Sequence, residues 1–74
     1  MATYNGHKNW NHWNVALWIG NDEGLYRLAL DCIRHARNKS DAARAFIDLV
    51  GVDRTPDGAR YTLTTVLAAL RGLE

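Results

Sequence analysis

The chain has 74 residues, which is enough for one domain with one hydrophobic core and excludes a second domain. Nine Lys and Arg residues against eight Asp and Glu residues give a net charge of +1, which argues against a strongly basic nucleic-acid binder and against an acidic DNA mimic. The single cysteine, Cys32, cannot form an internal disulfide. We therefore predict one small domain over residues 1–74.

No unbroken apolar run exceeds five residues, as in the segment from Val15 to Ile19, whereas a bilayer span needs about 20. The first residues also lack the basic and apolar pattern of a secretion signal. We therefore expect a cytoplasmic protein that does not contact membranes.

The polar segment 1–8 predicts an irregular N-terminal arm. A first helix is predicted over residues 10–19, with Asn9 as its N-cap and Gly20 as its end. Its apolar stripe has helical spacing and consists of Trp10, Trp13, Leu17 and Trp18. Because three tryptophans are more than one short helix buries easily, we predict that Trp10 or Trp18 takes part in a partner surface.

A second helix is predicted to begin at residues 21–23, where a capping side chain is followed by acidic residues. Its apolar residues have the clearest helical spacing in the chain and are Leu25, Leu28, Ala29, Cys32, Ile33 and Ala36. This spacing predicts a helix that faces the core.

Ser40 followed by Asp41 predicts the N-cap of a third helix, and Gly51 predicts its end. Within it, Phe46 is the predicted anchor in the core. A fourth helix is predicted to begin at Thr55-Pro56-Asp57, since a capping hydroxyl, a proline at the first helical position and an acid are typical of a helix start.

The same fourth segment continues with apolar residues at helical spacing, although residues 61–66 also have the propensity of a strand. We interpret the periodicity as a helix. The sequence therefore predicts an all-α protein, a compact bundle of about four short helices with an irregular arm.

Cys32 and His35 have the spacing that places two side chains on one face of a helix, which admits a metal site or a catalytic dyad. The chain has no second cysteine, and Cys32 occupies a core position where burial disfavours the thiolate. We therefore predict no metal site, no catalytic residue and no cofactor, and hence a protein that is not an enzyme.

A basic cluster lies where the second helix ends and the third begins. It consists of Arg34, Arg37, Lys39 and Arg44. Cations near the C-terminus of a helix stabilise its dipole, which is an adequate structural explanation. The same side chains are also candidates for contact with an acidic protein surface or with nucleic acid.

Three segments near the start of the chain carry a resemblance to a known family: Tyr4-Asn5-Gly6, Asn9-Trp10-Asn11-His12-Trp13-Asn14-Val15-Ala16-Leu17-Trp18-Ile19 and Asn21-Asp22-Glu23-Gly24-Leu25-Tyr26. They resemble the opening of a family of small proteins carried by phages, plasmids and bacterial mobile elements. The resemblance implies no enzymatic activity. Proteins of this size and setting resemble inhibitors of host defence such as anti-CRISPR proteins.

We accordingly predict an anti-CRISPR-like inhibitor that binds a CRISPR surveillance or nuclease complex stoichiometrically. Its partner surface is predicted to include Trp10, Trp18, Arg34, Arg37, Lys39 and Arg44. The alternative is a small accessory protein that contacts nucleic acid through the basic cluster, although so few cations predict weak direct binding to nucleic acid or none. A domain of this size can also gain stability by forming a homodimer.

Overall fold

The structure is a computed structural model that describes residues 8–73. Within these residues it contains four helices: α1 (Trp10–Asn21), α2 (Glu23–His35), α3 (Lys39–Val50) and α4 (Leu63–Arg71). The predicted all-α bundle is confirmed. The predicted arm over residues 1–8 lies outside the described residues, apart from Lys8.

The helices close around one apolar core because each presents a buried side to its neighbours. Helix α1 packs against α4 and α2, while α3 packs against α2 and α4. The largest fully buried apolar side chains are Phe46, Ile19, Leu70, Val15 and Val66. Phe46 is therefore the core anchor that the sequence predicts.

The predicted core face of α2 is also confirmed. Ala29 and Cys32 are buried, and the other four apolar residues of that face are half-buried and pack against the core. A helix whose apolar side chains recur with this spacing is held in place mainly by that packing.

One residue separates α1 from α2. Asn9 caps α1 as predicted, because its side chain accepts a hydrogen bond from the backbone N–H of His12 at 3.0 Å. The helix does not stop at Gly20 but continues to Asn21. Asp22 then ends α1 and caps α2, since its carboxylate accepts from the N–H of Leu25 at 3.0 Å.

The prediction that Ser40 caps α3 is wrong. The N-cap is Asn38, whose extended backbone (φ −152°) lets its side chain accept from the N–H of Asp41 at 2.8 Å. Ser40 therefore lies inside the first helical turn. The predicted end is correct, because Gly51 adopts a left-handed conformation (φ +82°) that glycine tolerates without steric cost.

The prediction that α4 begins at Thr55-Pro56-Asp57 is also wrong. These residues form a turn that is closed by a 2.8 Å hydrogen bond from the N–H of Gly58 to the carbonyl of Thr55. Proline at the second position and glycine at the fourth suit such a turn, and Gly58 has a φ of +99°, which a helix does not allow.

Helix α4 instead begins at Leu63, eight residues after Thr55. Its N-cap is Thr62, which exchanges hydrogen bonds with Thr65 in a capping box. Arg54 and Arg60, which flank the turn on its two sides, form an isolated antiparallel bridge.

Tyr61 attaches the segment between α3 and α4 to the core. Its ring lies edge-on to that of Phe46, with 5.7 Å between the ring centroids. Its backbone N–H donates to the carbonyl of Asp53 at 3.0 Å. The chain on either side of the turn is therefore attached to the core at the base of the turn.

Candidate partner-binding surface

Helix α1 is apolar on two sides, and only one of them is buried. Val15 and Ile19 are fully buried, whereas Trp10 and Leu17 each remain 37% exposed. Trp10 and Leu17 are seven residues apart, so they lie on the same side of the helix, two turns from one another. Two residues of the predicted apolar stripe, Trp10 and Leu17, therefore lie at the surface and not in the core.

The buried side of α1 is joined to the turn by a polar contact. The hydroxyl of Thr55 donates to the side-chain carbonyl of Asn14 at 2.6 Å and accepts from the N–H of Ala59 at 3.0 Å. Asn14 is 1% exposed and Thr55 is 4% exposed. Since hydrogen bonds between polar groups excluded from water are costly to lose, this contact fixes the turn against α1.

Asp57, at the tip of the turn, accepts two further hydrogen bonds from α1. Its Oδ2 atom accepts from the side-chain amide of Asn14 and from the indole N–H of Trp18, both at 2.9 Å. These bonds favour the ionised form, so they lower the pKa of the Asp57 carboxyl, the bond from Asn14 having the larger effect. Trp18 is half-buried, and its ring orientation is fixed by this contact.

A surface cavity of about 300 Å³ lies beside the fixed indole ring. It is lined by Leu17, Trp18, Asn21 and Asp22 at the C-terminal end of α1. The side-chain amide of Asn21 donates to the carbonyl of Leu17 at 2.9 Å. The exposed side of α1 therefore ends in a depression with an aromatic wall and a carboxylate.

The sequence prediction missed Asn14, Thr55 and Asp57 as parts of this surface. Asn14 is one of several polar residues in α1, and the segment of Thr55 and Asp57 fits both a helix start and a turn. The available signal in the sequence was the position of Asn14 directly before the apolar run from Val15 to Ile19, since an amide that is buried there requires hydrogen-bond partners from elsewhere in the chain.

The basic cluster lies at the corner between α2 and α3. Arg34 is in the last turn of α2, Arg37 is in the connection, Lys39 begins α3 and Arg44 follows in its second turn. Arg34, Arg37 and Arg44 are exposed and form no ion pair within residues 8–73. The roles of Trp10, Trp18 and these cations in partner binding remain predictions.

Cys32 and His35 lie in a groove of about 360 Å³ between α2 and α3. The other residues that line it are Leu28, Asp31, Ala36, Ala45 and Leu49. Burial, and secondarily the charge of Asp31, raise the pKa of the Cys32 thiol, which disfavours the reactive thiolate. Within the described part of the chain, no three His, Cys, Asp or Glu side chains are grouped so that they could hold a metal ion.

No helix among residues 8–73 is both long and apolar enough to cross a membrane. A family model with the description "Family of unknown function (DUF7249)" matches residues 1–69, and the chain therefore belongs to that family. No curated protein and no solved structure matches the chain.

The contact between Thr55 and Asn14 predicts a measurable effect on stability. Thr55→Val removes the hydroxyl and leaves two buried polar groups without a partner, the side-chain carbonyl of Asn14 and the N–H of Ala59. We expect a loss of about 1–3 kcal/mol in the free energy of unfolding, measured by urea denaturation. Thr64→Val is the control: its hydroxyl is exposed on α4 and, within the described residues, contacts only the hydroxyl of Thr62, which keeps its bonds with Thr65, so the change should be less than about 0.5 kcal/mol.

The lowered pKa of Asp57 predicts a loss of stability in acid. Because the folded pKa lies below the unfolded value of about 3.9, the stabilisation is present above that value and is lost as the pH falls through the folded pKa. We therefore expect the difference in the free energy of unfolding between the wild type and Asp57→Asn to shrink as the pH falls below about 4. A difference that is the same at neutral and acidic pH contradicts this prediction.

Proposed function

We propose that this member of the family of unknown function DUF7249 is a non-catalytic inhibitor of host defence. In this proposal it is carried by a phage or mobile element and acts in the bacterial cytoplasm by stoichiometric binding to a CRISPR surveillance or nuclease complex. The observation that carries the proposal is the exposed apolar side of α1, where Trp10 and Leu17 face solvent.

Exposed tryptophan on an ordered helix supports a binding role. Tryptophan is enriched among the residues that dominate the free energy of protein association, and its ring loses little conformational freedom when it is covered. Trp10 and Leu17 lie on a helix whose opposite side is fixed in the core through Val15 and Ile19. A partner therefore meets a surface whose backbone is already ordered, which lowers the entropic cost of association.

The kind of partner is inferred from the resemblance of the N-terminal segments to proteins of phages and mobile elements. Small proteins of that setting that lack a catalytic constellation resemble defence inhibitors that work by contact. The disfavoured thiolate of Cys32 supports a role without catalysis. In this proposal each inhibitor molecule blocks one CRISPR complex, so the degree of inhibition depends on the molar ratio of inhibitor to complex.

An infection experiment tests the inhibition of host defence, and a binding measurement tests the role of the exposed side of α1. In a host whose CRISPR-Cas system targets an infecting phage, we expect expression of the chain to restore plaque formation. Trp10→Ala should weaken binding to the inhibited complex by about 2 kcal/mol, or roughly 30-fold in Kd, because it removes a central aromatic contact. Isothermal titration of the purified complex measures this change.

The control is Leu49→Ala on α3, which removes an apolar side chain that is 65% exposed and lies on a different helix. It should leave the Kd within about twofold, as expected for a residue outside the interface. If expression restores plaque formation against none of the CRISPR-Cas types, the proposal is wrong. If Leu49→Ala weakens binding as much as Trp10→Ala, the interface is not on α1.

Direct binding to nucleic acid is the second candidate, and the exposed arginines at the corner between α2 and α3 favour it. This candidate predicts binding to a DNA or RNA duplex that weakens steeply with salt and is lost in the Arg34→Gln, Arg37→Gln, Arg44→Gln triple variant. Fluorescence anisotropy at two salt concentrations measures it. Binding that persists in the triple variant eliminates the basic cluster as the contact surface.

A further inference from the structure

The cavity beside Trp18 combines an aromatic wall with negative charge. Trp18 and Leu17 supply apolar surface, and Asp22 supplies a carboxylate within the lining. Asp57 does not line the cavity, but it holds a second carboxylate at the edge of the same indole ring, 2.9 Å from the ring nitrogen. The cavity volume of about 300 Å³ is at the lower end of the range for ligand sites, which suits a single side chain better than a cofactor.

The negative charge of Asp57 is not neutralised within the described residues. Both groups that donate to its Oδ2 atom are neutral, the amide of Asn14 and the indole of Trp18. The other oxygen, Oδ1, accepts no hydrogen bond from residues 8–73. Arg54, on the same turn, donates instead to the carbonyl of Gly58 at 3.2 Å.

Asp22 adds to the negative potential at this end of α1. Its carboxylate caps α2 through the N–H of Leu25 and has no cationic partner within the described residues. Its charge, after burial, contributes to the raised pKa of the Tyr61 hydroxyl.

We propose that this cavity binds the guanidinium group of an arginine side chain presented by the partner protein. The arginine stacks on the face of Trp18, and its N–H groups donate to the carboxylate of Asp22 in the lining and to the free oxygen of Asp57 at the edge of the indole ring. This inference rests on the proposed function and specifies the chemistry of its partner: an arginine beside an apolar segment that covers Leu17 and Trp10.

Three physical arguments select arginine. A cation over an indole face is attracted by the ring quadrupole, and tryptophan gives the strongest such contact among the aromatic residues. A carboxylate that accepts the indole N–H polarises the ring and makes its face more negative. The planar guanidinium stacks on a ring while donating to a carboxylate at its edge, which the compact ammonium of lysine cannot do equally well.

The charge also excludes one class of occupant. A phosphate group in this cavity is repelled by Asp22 and Asp57, and no cation of the described residues lines the cavity to offset the repulsion. The cavity is therefore a contact for protein, whereas contact with nucleic acid is confined to the basic corner between α2 and α3.

The experiment is an NMR titration of the full-length ¹⁵N-labelled chain with N-acetyl-Gly-Arg-Gly-amide at millimolar concentrations. We expect a saturable shift of the indole N–H signal of Trp18, assigned with Trp18→Phe, and of the backbone amides of residues 17–22. N-acetyl-Gly-Gln-Gly-amide, which lacks the charge, should produce no saturable shift. Equal shifts with the two peptides overturn the proposal.

Asp57→Asn tests the charge, because its side-chain oxygen still accepts from Asn14 and Trp18. We expect it to weaken binding of the arginine peptide by about fivefold or more, whereas Asp48→Asn on α3, which makes the same change in charge, should stay within about twofold. An equal loss in both variants overturns the proposal. Should Asp57→Asn fail to fold, Asp22→Asn replaces it, since asparagine also caps helices well and the expected loss is of the same kind.

The outcome is separate from that of the infection experiment. Restored plaque formation without arginine binding rejects the cavity but retains the inhibitor. Arginine binding without restored plaque formation retains the cavity and rejects the role in defence.

Discussion

The hydrogen bond between Thr55 and Asn14 is the contact on which the surface of α1 depends. It joins two segments that are 41 positions apart in the sequence. Both side chains are buried. Without it, the base of the turn has no hydrogen bond to the side chain of Asn14, and only the two hydrogen bonds to Asp57 join the turn to α1. Because both partners are buried, the contact gives orientation more than net stability, as buried polar networks often do.

That attachment has a chemical consequence at the surface. The same amide that accepts from Thr55 donates to Asp57, so one side chain connects a buried hydroxyl to an exposed carboxylate. The carboxylate in turn fixes the indole of Trp18. Four side chains thus form a continuous series of hydrogen bonds from a buried hydroxyl to an indole ring at the surface.

The four helices were predicted from the sequence more accurately than the start of α4, where the chain forms the turn that carries Asp57. Asn9 and Gly51 were identified because a capping side chain and a terminal glycine act within a few residues of the chain. The turn over residues 55–58 was interpreted as a helix start because threonine, proline and aspartate fit both structures locally. The long-range contact with Asn14 favours the turn, and no local pattern encodes it. The N-cap of α3 was assigned to Ser40 instead of Asn38 because both residue types cap helices and the two lie within one turn of each other.

Only one residue, Asp22, connects α1 to α2, and this short connection restricts the motion of one helix relative to the other. Asp22 donates its N–H to the carbonyl of Trp18 at 2.9 Å, and its carbonyl accepts from the N–H of Tyr26 at 2.8 Å. The two helices are therefore joined without a flexible linker, so a displacement of the end of α1 also displaces α2. The orientation of α1, and of the indole ring at its end, is therefore tied to the orientation of α2.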